Sequence, residues 1–431
     1  MSQDNRKNKR NRTAFFIRAY NDLDHLSPVI WKFIKSGDEP IVIFHTDLDY
    51  ESDYRIKFLL SEGHVEIYQF KDEEYVTYQK DSKSIISKIS KRLYNLKRNR
   101  KRLFGRVYRK LFFDCSSEIR FLKENNISQC VFEWGTPYAR GLVIEKFFKA
   151  AKGLGVTTFC LPHGCNIYTH SDVNQGYTNS IRLGRIPDQS QRREYDYYIF
   201  QNPLRRDGWV KWGYDPVKTF AWGSTRFYPE WQEKNLTICP SFSPNTNKDP
   251  TNKLKVVFMD HQKDYNIILK STWNLIEGIV KDKRIFLVIK QSTRAGKDYH
   301  SKSFRNKYKI APNIEFVGNE AHSPALINWA DCVINFGSSI GIEVLLQNKP
   351  LINPTFLHKN RTLYEETGAC IEGKSQEEVL YHLKKIKENK SYNIPTKNKD
   401  ILFREIIYGG REKHDVLESY YEKIIAKHLA Y

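Results

Sequence analysis

The stretch Phe336-Gly-Ser-Ser339 is read by pattern as a tight turn between a short buried strand at Cys332–Asn335 and a helix opening over Ile340–Gln347. A turn of Gly337, Ser338 and Ser339 leaves backbone N–H groups without partners, which suits a phosphate or another anion. Small residues at such a junction also serve simply to start a helix. Glu343 lies one turn further on, where its carboxylate could meet a ribose or sugar hydroxyl. Lys290 and Arg294 follow the strand Ile285–Ile289 and suit a diphosphate, or are a surface basic pair. A second set of residues could move protons. Asp22, Asp24 and His25 follow one strand, Glu133 ends another, and His163 with Gly164, Asn166, Tyr168 and His170 follows a third. A histidine beside an acid is the usual general base near neutral pH. His163 and His25 are the base candidates, with Glu133 and Asp24 as their acids. Any of these could instead cap a helix, Asp24 and Ser27 above all. Gly337-Ser-Ser-Ile-Gly341 also satisfies G-x-S-x-G, with Ser339 as a hydrolase nucleophile. That element comes late in the chain, and the later His358, His382, His414 and His428 have no strand-plus-loop context for a triad.

The elements that must position these residues alternate strand with helix. Strands are expected at Thr13–Ile17, Ile41–Phe44, Val65–Tyr68, Gln129–Trp134, Thr157–Leu161, Tyr197–Gln201 and Thr219–Trp222. Helices between them fall at about Leu26–Ser36, Tyr54–Glu62, Ser116–Asn125, Gly141–Lys152 and Pro203–Trp212, with Tyr20–Pro28 read as a loop. After Phe227 periodicity disappears, and prolines, Asn and Ser mark a linker over 228–253. The alternation restarts with strands at Lys255–Met259, Ile285–Ile289, Asn313–Val317, Cys332–Asn335, Leu351–Asn353 and Ala369–Ile371. Their helices fall at about Tyr265–Val280, Pro324–Ala330 and Gln376–Lys387, and two more, Lys399–Ile407 and Lys413–Leu429, follow. Such spacing implies parallel sheets with ligands at the strand C-termini. The expected division is 13–227, 254–398 and terminal helices over 399–431 that could cross back.

At 431 residues, two domains are the natural expectation. Lys and Arg number 70 against 50 Asp and Glu, a formal charge of +20. Eleven basic residues and no acid fall between Lys88 and Lys110, interleaved with Leu93, Leu96, Phe104, Val107 and Tyr108 at helical spacing. The stretch 85–113 therefore reads as a basic amphipathic insertion, with Lys97, Arg98, Arg100, Lys101 and Arg102 at its centre. It suits an anionic membrane surface, a nucleic-acid face or a solvated helix face, and no nucleic-acid module accompanies it. Seven scattered cysteines without C-x-x-C pairs point to reduced thiols in a cytoplasm rather than to zinc or disulfides. No apolar run approaches the roughly eighteen residues of a membrane helix.

Pro162-His-Gly164, Gly223-Ser-Thr-Arg226 and the Ala330–Glu343 segment before Lys349-Pro350 together resemble the GT-B glycosyltransferases. The closest likeness is to the bacterial surface-polymer enzymes around the CDP-glycerol glycerophosphotransferases and the capsule or lipopolysaccharide glycosyltransferases. The likeness covers most of Thr13–Ile371. It implies an α/β fold of two Rossmann-like domains facing a central cleft, with the basic helical insertion in the first and helices at the C-terminus. It also implies a glycosyl or polyol-phosphate transferase that needs neither cofactor nor metal and moves a group from a nucleotide-activated donor to a surface glycan or lipid-linked acceptor. Gly223, Ser224, Arg226, Lys290, Gly337, Ser338, Ser339 and Glu343 would bind the donor, and the first domain would supply acceptor site and base. Two departures stand out: Gln291-Ser-Thr replaces the family's His-Pro, and Thr225 replaces the proline before Arg226. With a lipid-linked acceptor, the basic insertion would hold the cleft at the inner face of the cell membrane, without nucleic acid as a partner. A sugar-nucleotide 2-epimerase of the UDP-GlcNAc type shares this architecture and would need no acceptor.

Overall fold

The structure, a computed structural model, describes residues 11–45, 49–70, 114–133, 137, 142–162, 164, 167–169, 182–185, 193–245, 250–261, 265–291, 308, 311–388, 392 and 394–426. The insertion at 85–113 and His163 lie outside the described residues.

The first half opens with β1 (Arg12–Ile17), α1 (Tyr20–Lys35), β2 (Ile41–Phe44), α2 (Tyr54–Glu62) and β3 (Glu66–Gln69). It continues with α3 (Ser116–Glu124), β4 (Ile127–Phe132), α4 (Leu142–Gly153), β5 (Thr157–Cys160), β6 (Tyr197–Phe200), α5 (Pro203–Lys211) and β7 (Thr219–Ala221). These strands form one sheet in the order β3-β2-β1-β4-β5-β6-β7, and every pairing is parallel. The cause is legible in β1, where Ala14, Phe15, Phe16 and Ile17 are all fully buried. A strand covered by helices on both faces needs a continuous apolar run rather than an alternating one. On α1, Leu23, Leu26, Ile30 and Phe33 recur at helical spacing and give the stripe that packs on the sheet.

A connecting helix, α6 (Pro229–Ile238), leads to the second half. There β8 (Leu254–Met259), α7 (Leu269–Lys281), β9 (Ile285–Lys290), β10 (Ile314–Val317), α8 (Ser323–Trp329) and β11 (Cys332–Asn335) follow. Next come α9 (Ile340–Leu346), β12 (Leu351–Pro354), α10 (Leu363–Thr367), β13 (Ile371–Gly373) and α11 (Gln376–Glu388). The second sheet runs β10-β9-β8-β11-β12-β13, again parallel throughout. Strand order reverses between β1 and β4 in one sheet and between β8 and β11 in the other. Ligands collect beyond the strand ends at such reversals.

Two further helices, α12 (Thr396–Ile406) and α13 (Val416–Ala426), join the halves. The first packs on α10 in the second half and the other on α1 in the first. Lys32 pairs with Glu418, the rings of Phe33 and Tyr421 meet edge to face at 5.0 Å, and the Tyr421 hydroxyl donates to Asp38 at 2.8 Å. Between these helices the Ile407 carbonyl accepts from Ser224 N–H at 2.9 Å, while the Tyr420 hydroxyl donates to the Gly223 carbonyl at 2.9 Å. Gly223 has φ +92°, and a Cβ there would lie 2.2 Å from the Ile407 oxygen. Only glycine fits both the conformation and the approach. A second bridge places Ile167–Thr169 against Arg361–Leu363, with Leu363 N–H donating to the Ile167 carbonyl at 2.8 Å.

Three expectations need correction. The segment Tyr20–Pro28 is not a loop: α1 begins at Tyr20, because the Asp22 carboxylate accepts the N–H groups of Arg18 at 2.9 Å and Ala19 at 2.8 Å. Asp22 therefore does the capping that Asp24 and Ser27 were expected to do, and Pro28 sits inside the helix. The supposed linker over 228–253 holds α6, whose Trp231, Gln232 and Asn235 are buried. The short helix α10 is the third, with Thr362 and Glu365 forming a reciprocal cap that the pattern reading passed over.

Candidate functional site

The strand ends of both sheets open onto one cavity of ≈ 1130 Å³ between the halves. Its second-half wall is built by the turn after β11. There the Ser338 carbonyl accepts from Asn335 Nδ2 and from the Tyr364 hydroxyl, both at 2.9 Å. The Gly337 carbonyl accepts from the Tyr168 hydroxyl at 2.6 Å, with His261 Nε2 at 3.0 Å. Gly337 has φ +70°, and a Cβ there would press on the Tyr168 hydroxyl at 2.8 Å. Both carbonyls are thus tied back into protein, and Ser338 and Ser339 line the cavity.

Lys290, at the end of β9, is buried, and its ammonium donates to the Gly318 carbonyl. Burial lowers its pKa to about 8, against the opposing pull of Glu320. His322, on the loop after β10, also lines the cavity, edge-on to the Tyr54 ring at 4.9 Å. Burial and the Arg55 charge hold its pKa below the usual range.

A chain of charges crosses from this wall to the other half. Arg226 Nε and Nη2 both donate to Glu343 Oε1, at 2.9 and 2.7 Å. Arg226 Nη1 lies 3.2 Å from Asp24 Oδ2, and Asp24 Oδ1 pairs with Arg55. Arg55 in turn grips Asp53 at 3.0 and 2.7 Å. Desolvation works against both guanidinium charges, but the flanking carboxylates outweigh it and hold them charged. Glu343 is about 1% exposed, and its Oε2 has no hydrogen-bond partner among the described residues. Burial raises its pKa above the ordinary carboxylate range despite Arg226. An unpaired buried carboxylate oxygen is costly unless something supplies it with a donor.

The residues singled out from the sequence divide into three groups. Asp24, Arg226, Lys290, Gly337, Ser338, Ser339 and Glu343 line the one cavity. His25, Glu133, Gly223 and Ser224 do not line it. The first of these has its Nε2 lone pair engaged by Gly164 N–H at 2.8 Å, and its carbonyl accepts from the Thr225 hydroxyl at 3.0 Å. It ties α1 to the loop after β5 rather than offering a base. Glu133 is buried 3.4 Å from Arg18 Nη1, and Gly223 and Ser224 receive the C-terminal crossing. His163 and the run from Lys97 to Arg102 lie outside the described residues. Sequence reasoning missed Arg55, Tyr168 as a cross-cleft contact, His261 and His322. For His261 a signal existed, since it lies just past the end of β8, beside the strand that Lys290 ends.

The serine-nucleophile alternative finds no support here. Ser339 has helical backbone angles, φ −64° and ψ −10°, rather than the strained elbow that exposes such a nucleophile, and no histidine meets its hydroxyl among the described residues. Among the described residues no group of three or more His, Cys, Asp or Glu side chains is arranged to hold a metal ion.

No protein-family model matches the chain, and no curated protein matches it. Solved structures do. The UDP-GlcNAc 2-epimerase from Methanocaldococcus jannaschii, in complex with UDP-GlcNAc and UDP, aligns with a TM-score of 0.53 at 14% identity, covering 91% of this chain and 98% of the other. Anabaena HepE in complex with UDP and glucose aligns at 0.55 and 10% identity, over 97% and 100%. A glycosyltransferase from Rickettsia africae aligns at 0.52 and 13% identity, over 97% and 100%. At these identities the likeness concerns the fold: two Rossmann-like α/β domains facing a cleft, the GT-B architecture.

Proposed function

We propose that the chain is a sugar-nucleotide enzyme, and specifically a transferase that moves a glycosyl or polyol-phosphate group from a nucleotide-activated donor to a glycan or lipid-linked acceptor. The observation that carries this reading is the unpartnered Glu343 Oε2 beside the Ser338–Ser339 turn and Lys290, on one wall of a cleft of ≈ 1130 Å³. A nucleotide ribose supplies the hydroxyl that Oε2 needs, and its diphosphate suits the serine N–H groups and the lysine. As the acceptor oxygen bonds to the transferred carbon or phosphorus, the bond to the nucleotide breaks and its electron pair stays on the departing phosphate. Backbone N–H groups and Lys290 would stabilise that growing charge. The acceptor proton passes to a base, and His163 remains the candidate, His25 being engaged by Gly164. The basic run between Lys88 and Lys110 would hold the cleft at an anionic membrane surface. No helix among the described residues is long and apolar enough to cross a membrane.

The structural neighbours favour a second reading of the same site, a sugar-nucleotide 2-epimerase, since one such enzyme matches over most of both chains. The readings part on products: an epimerase converts the donor alone, whereas a transferase needs an acceptor. Binding is tested first, by thermal shift against UDP, CDP, GDP, CMP and their sugars. One nucleotide should raise the melting temperature of the wild-type chain, and Glu343→Ala should abolish that rise. A rise that survives in Glu343→Ala would remove this reading of the site.

A further inference from the structure

We propose that Arg226 is a positioning residue that couples the donor carboxylate Glu343 in the second half to Asp24 in the first, so that the donor site is complete only while the halves are clasped. The inference rests on the donor-site reading above and adds to it a link between the two domains.

The geometry is specific. Two nitrogens of Arg226 converge on one oxygen of Glu343, leaving Oε2 without a hydrogen-bond partner among the described residues. The third nitrogen reaches Asp24, in the first turns of α1, and Arg55 and Asp53 continue the chain into α2 and its cap. Three carboxylates thus share two guanidinium groups, and Arg226 is the member joined to both halves. Without it, the half-buried Asp24 and the buried Glu343 would face each other with no cation between them. Arg226 itself follows β7, so a residue of the first half orients a donor residue of the second. Lysine cannot replace it, since a single ammonium lacks the planar fork that engages two carboxylates at once. The neighbouring contact of Tyr54 with His322 makes the same crossing beside the cavity.

The test uses the full chain and two probes, UDP and 2′,3′-dideoxy-UDP, which differ only in the diol. Arg226→Met would leave the buried Glu343 without its counter-charge and endanger the fold, so Arg226→Lys, which keeps the charge, is the variant to measure. Calorimetric titration of the wild type should show UDP bound at least about tenfold tighter than the dideoxy analogue, as expected for a hydrogen bond to a charged group. In Arg226→Lys that preference should fall towards one. Amide exchange followed by mass spectrometry provides a readout without ligand. Exchange in both Tyr20–Leu26 and Ile340–Leu346, on opposite halves, should quicken by about tenfold or more while α7 stays as in wild type. Unchanged exchange in either segment, or a preserved diol preference, overturns the clasp. A wild-type chain that binds neither probe excludes UDP as the nucleotide instead, and the exchange result then decides the clasp alone.

Discussion

Gly223→Ala puts a number on the close approach between the first half and the C-terminal segment. Alanine at φ +92° costs about 1–2 kcal/mol for the left-handed backbone. Its Cβ would also sit 2.2 Å from the Ile407 oxygen, a contact that backbone must relieve by moving. That movement breaks the 2.9 Å bond from Ser224 N–H, worth about 0.5–1.5 kcal/mol. The expected loss is about 1.5–3.5 kcal/mol. A chain of 431 residues unfolding as a unit has an unfolding entropy of about 0.9 kcal/mol/K at ~2.1 cal/mol/K per residue, so the melting temperature should fall by about 2–4 °C. Gly37→Ala is the control, because Gly37 has φ +82° but no atom within 4 Å of a built Cβ. It carries the backbone term alone. Calorimetric scans of the two variants isolate the contact by difference. If Gly223→Ala costs no more than Gly37→Ala, the C-terminal segment does not press on Gly223 and the packing argument fails.

Two pH dependences follow from buried groups. Lys290, with its pKa lowered to about 8, keeps its charge below that pH, so affinity for a nucleoside diphosphate should drop by up to about tenfold between pH 7 and pH 9. Titration in that window checks this, and Lys290→Met should flatten the profile. His45, at the end of β2, is buried with neither ring nitrogen hydrogen-bonded among the described residues, and burial lowers its pKa to about 4. Between its ordinary pKa of about 6.5 and that value, the unfolded chain takes up a proton that the folded chain does not. Stability tied to His45 is therefore full above about pH 6.5 and declines by up to about 3 kcal/mol as pH falls to 4. Denaturation curves of wild type and His45→Gln across that range should diverge in slope; parallel slopes would contradict it.

Much of the architecture could be read from the chain because its central parallel strands carry nearly continuous apolar runs. Ala14–Ile17 and Cys332–Asn335 each announce a strand buried on both faces, and the helices between them carry clean stripes. What escaped were elements whose local signals conflict. Pro28 argued for a loop, yet the Asp22 cap and the stripe of α1 override it. The prolines around α6 hid a helix whose Trp231 is anchored by tertiary contact, with its ring 5.7 Å from that of Trp31. At the site, strand-end position was enough to gather Lys290, the Ser338 turn and Glu343 on one wall. It could not say that Glu343 would be met by Arg226, because that pairing joins residues of different domains. Nor could it separate His25, whose lone pair is spent on Gly164, from a histidine free to take a proton. Motif similarity grouped Gly223 with Arg226, whereas folding sends the glycine to the C-terminal crossing and the arginine to the cleft.

The placement of α13 has a consequence for how the chain comes together. The helix that covers α1 is the last described one in sequence, and its partner is the first. While the chain is being made, the first sheet can pair its strands, but Phe33 and Trp222 wait for Tyr421 and Tyr420 to arrive from the far end. Severing the N-terminal half after α6 should therefore expose the apolar face that α13 covers on α1 and Trp222.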